Sequence, residues 1–190
     1  MFRMRFDGGL RFLFKEDEGL KRDEQNGIKA VYFPKIHIQY IMTTLKKGDK
    51  APAISAIDQL GNPISLDQYA GKKVILYFYP KDDTPGCTAE ACNLRDNYTE
   101  ILNRGFDVIG VSPDAGKAHL KFIDKYTLPF RLIADTDKKV AEDYGVWGLK
   151  KFMGKEYMGV NRTTFIIGDD GSILDVIEKV DTKNHAAQII

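Results

Sequence analysis

Short apolar runs rich in β-branched and aromatic residues alternate with amphipathic segments along the chain, and this alternation constrains the fold more than any other feature. Three runs have the composition of strands covered on both faces: KVILYFY (73–79), FDVIGVS (106–112) and PFRLIAD (129–135). Segments with helical period follow the later two, AGKAHLKFIDKY (115–126) and TDKKVAEDYG (136–145). The pattern predicts an α/β domain with a mostly parallel central sheet and helices on both faces.

The last two apolar runs predict an antiparallel hairpin. RTTFIIG (162–168) and SILDVIEKV (172–180) flank the turn DDGS, whose glycine is typical of a hairpin loop. This hairpin makes the predicted sheet mixed. The final segment, TKNHAAQII (182–190), has the composition of a closing helix.

Residues 1–41 differ from the rest, because they mix charges with scattered aromatics and keep neither helical nor strand periodicity. They lack the apolar core of a secretory signal, and the acidic run KEDEG (15–19) is untypical of an organelle presequence. We expect a disordered leader or a mis-assigned start there. A single domain is expected over residues 42–190, opening at Met42.

The overall charge is balanced, with 28 basic and 27 acidic residues and a formal net charge of +1. This gives no reason to expect nucleic acid or an anionic membrane as a partner. No stretch of the sequence approaches the roughly 20 apolar residues that a bilayer-spanning helix needs.

Both cysteines of the chain fall in one segment of helical period. Its apolar stripe consists of Cys87, Ala91, Leu94, Tyr98 and Ile101. Gly105 stands where helices commonly end, so we expect a helix over residues 87–104. The loop of residues 80–86 joins the first buried strand to this helix. In parallel sheets the carboxyl ends of strands carry the site, so this loop is the expected location.

Several roles are open for two thiols at this spacing. A metal site needs about four ligands, and the candidate histidines, His37, His119 and His185, are all far away in sequence. In a helix, Cys87 and Cys92 lie about 7.5 Å apart along the axis and roughly 140° apart around it. That exceeds the roughly 7 Å limit between bridged α-carbons. A disulfide therefore requires the helix start to unwind, which favours a transient bond over a permanent one. Two inert buried thiols are the remaining alternative.

The surroundings of Cys87 favour a nucleophile. In the first turn of a helix, free backbone N–H groups and the helix dipole favour a thiolate. Pro85 and Gly86 permit close approach of the backbone to a ligand. The hydroxyl of Thr84 is near enough in sequence to reach the sulfur or a molecule bound to it.

These motifs resemble a known family. PKDDTPGC (80–87) is similar to the Pro-x-x-x-Thr-x-x-Cys signature of the peroxiredoxins, which are thiol peroxidases with a thioredoxin-like fold. PGCTAEACNLRD (85–96) resembles the bacterioferritin comigratory protein or peroxiredoxin Q branch. Further matches are GDKAP, GVWG, KKFMGKEYMGVNRTTFIIG and NHAAQ. The resemblance covers about residues 43–190 and implies a thioredoxin-like fold.

The resemblance implies four catalytic residues. Cys87 would attack the peroxide, and Cys92 would resolve the product. Thr84 would form a hydrogen bond with the peroxide. Arg162 would supply a fixed positive charge that favours the thiolate and stabilises the departing oxygen.

Three supporting residues are also implied. Pro80 would shield the site from water, and the backbone N–H groups around Gly86 would add donors. Glu90 matches a recurrent family position. The expectation for Lys81 and the two aspartates after it is only that they solvate the loop. The aromatic residues Tyr77, Phe78, Trp147 and Phe152 either line an apolar peroxide pocket or pack in the core.

The implied cycle needs no metal or other cofactor. Cys87 would reduce hydrogen peroxide or an alkyl hydroperoxide and become a sulfenic acid, which Cys92 would convert to an intramolecular disulfide. Thioredoxin or a similar dithiol would reduce that disulfide. A reducing cytoplasm suits such a cycle, and a monomer suffices because one chain holds both thiols. The rival hypotheses are a dithiol oxidoreductase acting on protein disulfides and a non-enzymatic binding or holdase role.

Overall fold

A five-stranded sheet lies at the centre of the structure, a computed structural model that describes residues 45–152 and 154–190. The strands are β1 (Ala56–Ile57), β2 (Pro63–Ile64), β3 (Lys73–Phe78), β4 (Phe106–Ser112), β5 (Arg131–Ala134), β6 (Trp147–Phe152), β7 (Lys155–Val160), β8 (Thr163–Ile167) and β9 (Ile173–Ile177). The α-helices are α1 (Pro85–Asp96), α2 (Tyr98–Asn103), α3 (Gly116–Tyr126), α4 (Lys139–Asp143) and α5 (His185–Ile189), and a 3₁₀ helix spans Leu66–Tyr69. The expected leader, residues 1–41, and the expected domain start at Met42 lie outside the described residues.

The strand order in the central sheet is β5-β4-β3-β8-β9. β3, β4 and β5 are parallel, as expected for strands joined by helices. β8 runs antiparallel to both β3 and β9. The predicted mixed sheet is therefore confirmed. The predicted terminal hairpin consists of β8 and β9, and β9 is the edge strand of the sheet.

The two faces of the sheet carry separate apolar cores, and side chains of β3 alternate between them. Val74, Leu76 and Phe78 pack with α4 on one face. Ile75 and Tyr77 pack with α1, α2 and α3 on the other. Helices thus cover both faces, as predicted. Tyr77 and Phe78 are fully buried in these cores, so core packing rather than a substrate pocket is their role.

The segment expected as one helix over residues 87–104 is two helices. α1 starts earlier, at Pro85, and ends before Asn97, whose backbone (φ −103°, ψ 8°) leaves the helical region. The Asn97 side chain donates a hydrogen bond to the Asn93 carbonyl (2.8 Å), a bond that competes with helix propagation. α2 then continues to Asn103. No helix in the described ranges is long and apolar enough to cross a membrane.

The sequence did not predict the hairpin of β6 and β7. Its strands pair antiparallel, with Gly148 opposite Gly159 and Leu149 opposite Met158. Leu149 is 64% exposed, and residues 155–158 of β7 are all exposed, so the usual alternation of buried and exposed side chains is missing from β7. Both strands also contain glycine and lysine in place of residues with high β-propensity, so their composition does not indicate strands either.

Candidate active site

Cys87 is the third residue of α1. It lies at the carboxyl end of β3, where the loop of residues 80–86 was predicted to hold the site. Only 2% of the residue is exposed, and it packs against the apolar core on the α1 face of the sheet. The first helical hydrogen bond joins the Thr88 N–H to the Thr84 carbonyl (2.8 Å). The N–H groups of Gly86 and Cys87 precede this ladder. They therefore present donors and the positive end of the helix dipole near the sulfur.

Arg162 reaches Cys87 from the neighbouring strand. Pairing of β3 with β8 sets Thr163 opposite Phe78, so the residue before β8 lies beside the loop that follows β3. Arg162 Nη2 donates a hydrogen bond to Cys87 Sγ at 3.1 Å, across 75 positions of sequence. The same nitrogen lies 3.5 Å from the point where a Cβ on Gly86 would stand. The guanidinium thus covers the helix start.

Glu90 binds the other side of the same guanidinium. Arg162 Nη1 donates to Glu90 Oε2, and the Glu90 side chain has no exposed surface. Burial raises the pKa of Glu90 to about 7, because the loss of water disfavours the carboxylate by more than Arg162 stabilises it. Near neutral pH, therefore, the charge of Arg162 is only partly neutralised by Glu90.

His185, the first residue of α5, faces the second oxygen of Glu90. His185 Nδ1 lies 3.4 Å from Glu90 Oε1, and both side chains are fully buried. His185 Nε2 lies 3.0 Å from Thr164 Oγ1 on β8. Burial and the positive charge of Arg162 lower the pKa of His185 to about 4, so its imidazole is neutral at pH 7.

Thr84 is the N-cap residue of α1, although its hydroxyl does not cap the helix. It donates instead to the Lys81 carbonyl at 3.0 Å. A hydroxyl that donates in this way keeps its lone pairs for a second partner. Thr84 therefore presents an acceptor at the entrance to the helix. Pro80, half-buried, begins the same loop.

The expectation that both aspartates of this loop are solvated is wrong for Asp82. That residue is 8% exposed. Its carboxylate accepts a hydrogen bond from Tyr79 Oη (2.7 Å) and lies 2.8 Å from His119 Nδ1. Asp83 is exposed and binds Lys125 on α3. Both residues fix the loop before Cys87 to α3, a task that the sequence alone did not reveal.

Cys92 lies further along α1, half-buried, and both thiols are free. The helix is continuous between them. Arg95, one turn further on, forms an ion pair with Asp96 at 2.7 Å. An intact α1 thus keeps the two sulfurs apart.

The structure brings together most of the residues singled out in the sequence. Cys87, Arg162 and Glu90 are in direct contact, and Gly86 lies against the guanidinium. Within residues 45–152 and 154–190, no three His, Cys, Asp or Glu side chains are placed to hold a metal ion. His185 was considered in the sequence only as a metal ligand. Its contact with Glu90 spans 95 positions, and no local signal predicts it.

Comparison with known proteins gives one family. Residues 47–176 match the model of the AhpC/TSA family. The chain is 47% identical to a putative peroxiredoxin Bcp of Haemophilus influenzae over 78% of its length and 96% of that protein. It is 45% identical to peroxiredoxin Bcp of Bacillus subtilis, covering 77% of this chain and 94% of that one.

One solved structure has a similar fold. The bacterioferritin comigratory protein of Xanthomonas campestris, studied for its alkyl peroxide reduction activity, superposes with a TM-score of 0.67. The two are 31% identical, and the match covers 72% of this chain and 87% of that one. The thioredoxin-like fold expected from the sequence is confirmed by this likeness.

The buried pair of Glu90 and His185 predicts opposite effects of pH on stability. The pKa of Glu90 is raised from 4.5 to about 7 on folding, so its contribution to stability is lost as pH rises through this range. The pKa of His185 is lowered from 6.5 to about 4, so its contribution is lost as pH falls through that range. Between about pH 4.5 and 6.5 the two effects offset each other in the native chain.

Single substitutions separate the two effects. In Glu90→Gln, the free energy of unfolding is expected to rise more steeply with pH between 4.5 and 6.5 than in the native chain. In His185→Gln it is expected to rise less steeply or to fall. Urea denaturation of the reduced proteins at a series of pH values measures both slopes. Slopes equal to that of the native chain in both variants would contradict the assignment.

Proposed function

The chain belongs to the AhpC/TSA family, in the Bcp branch of the peroxiredoxins, and from that premise we propose how its residues perform thiol-dependent peroxide reduction. One observation carries the proposal most directly. Arg162 Nη2 donates to Cys87 Sγ at 3.1 Å, at the start of a helix whose dipole also favours an anion. Both features favour the thiolate, which is the nucleophilic form of cysteine.

In the first step, the Cys87 thiolate attacks the terminal oxygen of a hydroperoxide. The S–O bond forms as the O–O bond breaks, and the electron pair leaves on the other oxygen, which takes a proton to become water or an alcohol. The sulfur is oxidised to a sulfenic acid, and the peroxide is reduced. Negative charge moves from the sulfur to the departing oxygen in this step.

The surroundings of Cys87 match this movement of charge. Arg162 already binds the sulfur and lies where it can stabilise the departing oxygen. The backbone N–H groups of Gly86 and Cys87 supply further donors. Thr84, whose hydroxyl proton is donated to Lys81, can accept a hydrogen bond from the peroxide O–H. Pro80 limits access of water to the same loop.

In the second step, the Cys92 thiolate attacks the sulfenic sulfur of Cys87. The S–S bond forms, the S–O bond breaks, and the oxygen leaves as water after taking a proton. Because α1 is continuous through both residues, its start has to unwind first. Asn93 joins α1 to the segment before α5, since its side chain donates to the Lys183 carbonyl (2.9 Å). This contact limits how far the unwinding extends.

We assign thioredoxin, or a similar dithiol protein, as the reductant that restores both thiols. The exchange consumes two thiols of the reductant and leaves it as a disulfide, so the electrons balance. A disulfide that is made and broken in each cycle suits a reducing cytoplasm. A monomer suffices, because each chain contains both thiols.

The proposed substrates are hydrogen peroxide and alkyl hydroperoxides. The alkyl peroxide reduction activity of the related Xanthomonas campestris protein supports the second class. Trp147 is half-buried against the core on the α4 face. The side chain of Phe152, the fourth aromatic candidate for a peroxide pocket, lies outside the described residues.

Substitution of each thiol is expected to stop the cycle at a different step. Cys87→Ser should lose peroxide turnover with thioredoxin. Cys92→Ser should consume one equivalent of peroxide and then stop, because Cys87 is oxidised but not resolved. Peroxide consumption coupled to thioredoxin and thioredoxin reductase measures both. Normal turnover by Cys87→Ser would contradict the assignment of the nucleophile, and an insulin-reduction assay would then test for a general dithiol oxidoreductase.

Formation of the disulfide is expected to melt the start of α1. Amide hydrogens of residues 87–93 should exchange faster in the oxidised protein than in the reduced one, whereas β3 and β4 should be unchanged. Hydrogen exchange followed by mass spectrometry compares the two states. Equal protection of residues 87–93 in both states would show that the disulfide forms without unwinding.

A further inference from the structure

Five buried or half-buried side chains form one continuous line of polar contacts through the site. It consists of Thr164, His185, Glu90, Arg162 and Cys87. The last two members are in the proposed catalytic site, and Glu90 binds Arg162 directly. His185 and Thr164 lie behind Glu90, and the proposed cycle gives them no task. A buried polar contact of this kind needs a physical explanation.

The contact between Glu90 and His185 joins two atoms that have no hydrogen-bond partner among the residues that the structure describes. Glu90 Oε1 and His185 Nδ1 are both buried, and they lie 3.4 Å from one another. An ionised carboxylate can only accept. A proton between the two atoms must therefore sit on His185 Nδ1 whenever Glu90 is charged.

Thr164 is compatible with this tautomer. Its Oγ1 lies 3.0 Å from His185 Nε2, and a hydroxyl can donate to an unprotonated ring nitrogen. The imidazole then stays neutral, which suits a residue with no exposed surface. The ring also lies edge-to-face with Tyr77, with the ring centroids 6.4 Å apart, so its plane is fixed by packing as well.

We propose that His185 is a positioning residue for the reaction of Cys87 with peroxide. When Glu90 is ionised, His185 directs its Nδ1–H to one oxygen of Glu90, which keeps the other oxygen on Arg162 and thereby holds the guanidinium against the Cys87 sulfur. The proposal rests on the proposed function, since it concerns the same Arg162 and Cys87. Without His185, Glu90 can rotate about its side-chain bonds, and Arg162 follows it. A displacement of about 1 Å at a reacting group can slow a reaction by about a hundredfold.

A second connection holds α5 in place without His185. Asn93 on α1 accepts a hydrogen bond from the Ala186 N–H (2.7 Å) and donates to the Lys183 carbonyl (2.9 Å). Loss of the His185 side chain therefore leaves α5 attached to α1. The same connection offers a matched control, because Asn93→Ala removes these two hydrogen bonds of α5 and changes neither the side chain of His185 nor that of Glu90.

The test measures only the first step, in a Cys92→Ser parent that reacts once with peroxide. Stopped-flow kinetics at pH 8, where Glu90 is mostly ionised, give the rate constant of Cys87 with hydrogen peroxide in His185→Leu, His185→Asn and Asn93→Ala. His185→Leu is expected to be about tenfold to a hundredfold slower than the parent. His185→Asn should recover most of the rate, because the asparagine amide can place an N–H near the position of Nδ1. Asn93→Ala should stay within about twofold of the parent, since it leaves all the side chains from Thr164 to Cys87 in the line of contacts.

Two results would overturn the proposal: a parent-like rate in His185→Leu, or a His185→Asn variant as slow as His185→Leu. A parent that fails to consume one equivalent of peroxide would instead contradict the proposed function, so the two failures are distinct. If His185→Leu does not fold, ¹⁵N NMR of the His185 ring in the native chain at pH 8 tests the proposal instead. The neutral tautomer with the proton on Nδ1 is expected, and a proton on Nε2 would overturn the proposal.

Discussion

One guanidinium is shared between the sulfur of Cys87 and the carboxyl of Glu90, and the proposed chemistry of the site depends on that sharing. Arg162 carries one positive charge, whereas a thiolate and a carboxylate together carry two negative charges. Burial reduces the conflict by raising the pKa of Glu90 to about 7, so that the carboxyl is partly neutral under ordinary conditions. More of the charge of Arg162 is then directed to the sulfur. A fully ionised Glu90 would neutralise more of the positive charge of Arg162.

The fold supplies this contact through the pairing of two strands that are distant in sequence. β8 lies beside β3, and their register places Arg162 next to the loop that leads into α1. The loop is itself held by the buried contact of Asp82 with His119 on α3. The continuous helix α1 keeps Cys92 away from Cys87, so in the proposed cycle the first step needs α1 formed and the second needs its start unwound. The stability of α1 therefore affects both halves of the cycle in opposite directions.

Much of the fold could be predicted from the sequence, because it is encoded locally. Apolar runs predicted the central strands, and the helical period of the segment that contains both cysteines predicted Cys87 at the start of a helix. The unpredicted features depend on contacts between distant segments. The break at Asn97 depends on a side-chain hydrogen bond, and β7 lacks the alternation of buried and exposed side chains that indicates a strand. Within the site, only the family resemblance indicated Arg162. Nothing in the sequence indicated that Asp82 is buried or that His185 faces Glu90.

The rate of the first step in Arg162 variants tests the central claim most directly. In a Cys92→Ser background, Arg162→Gln removes the charge, and Arg162→Lys keeps it without the fork that binds two partners at once. Loss of one stabilising donor typically costs about a hundredfold to a thousandfold in rate. We therefore expect the rate constant with hydrogen peroxide to fall at least about a hundredfold in Arg162→Gln, and by less in Arg162→Lys. An Arg162→Gln variant that reacts at the parent rate would contradict the account.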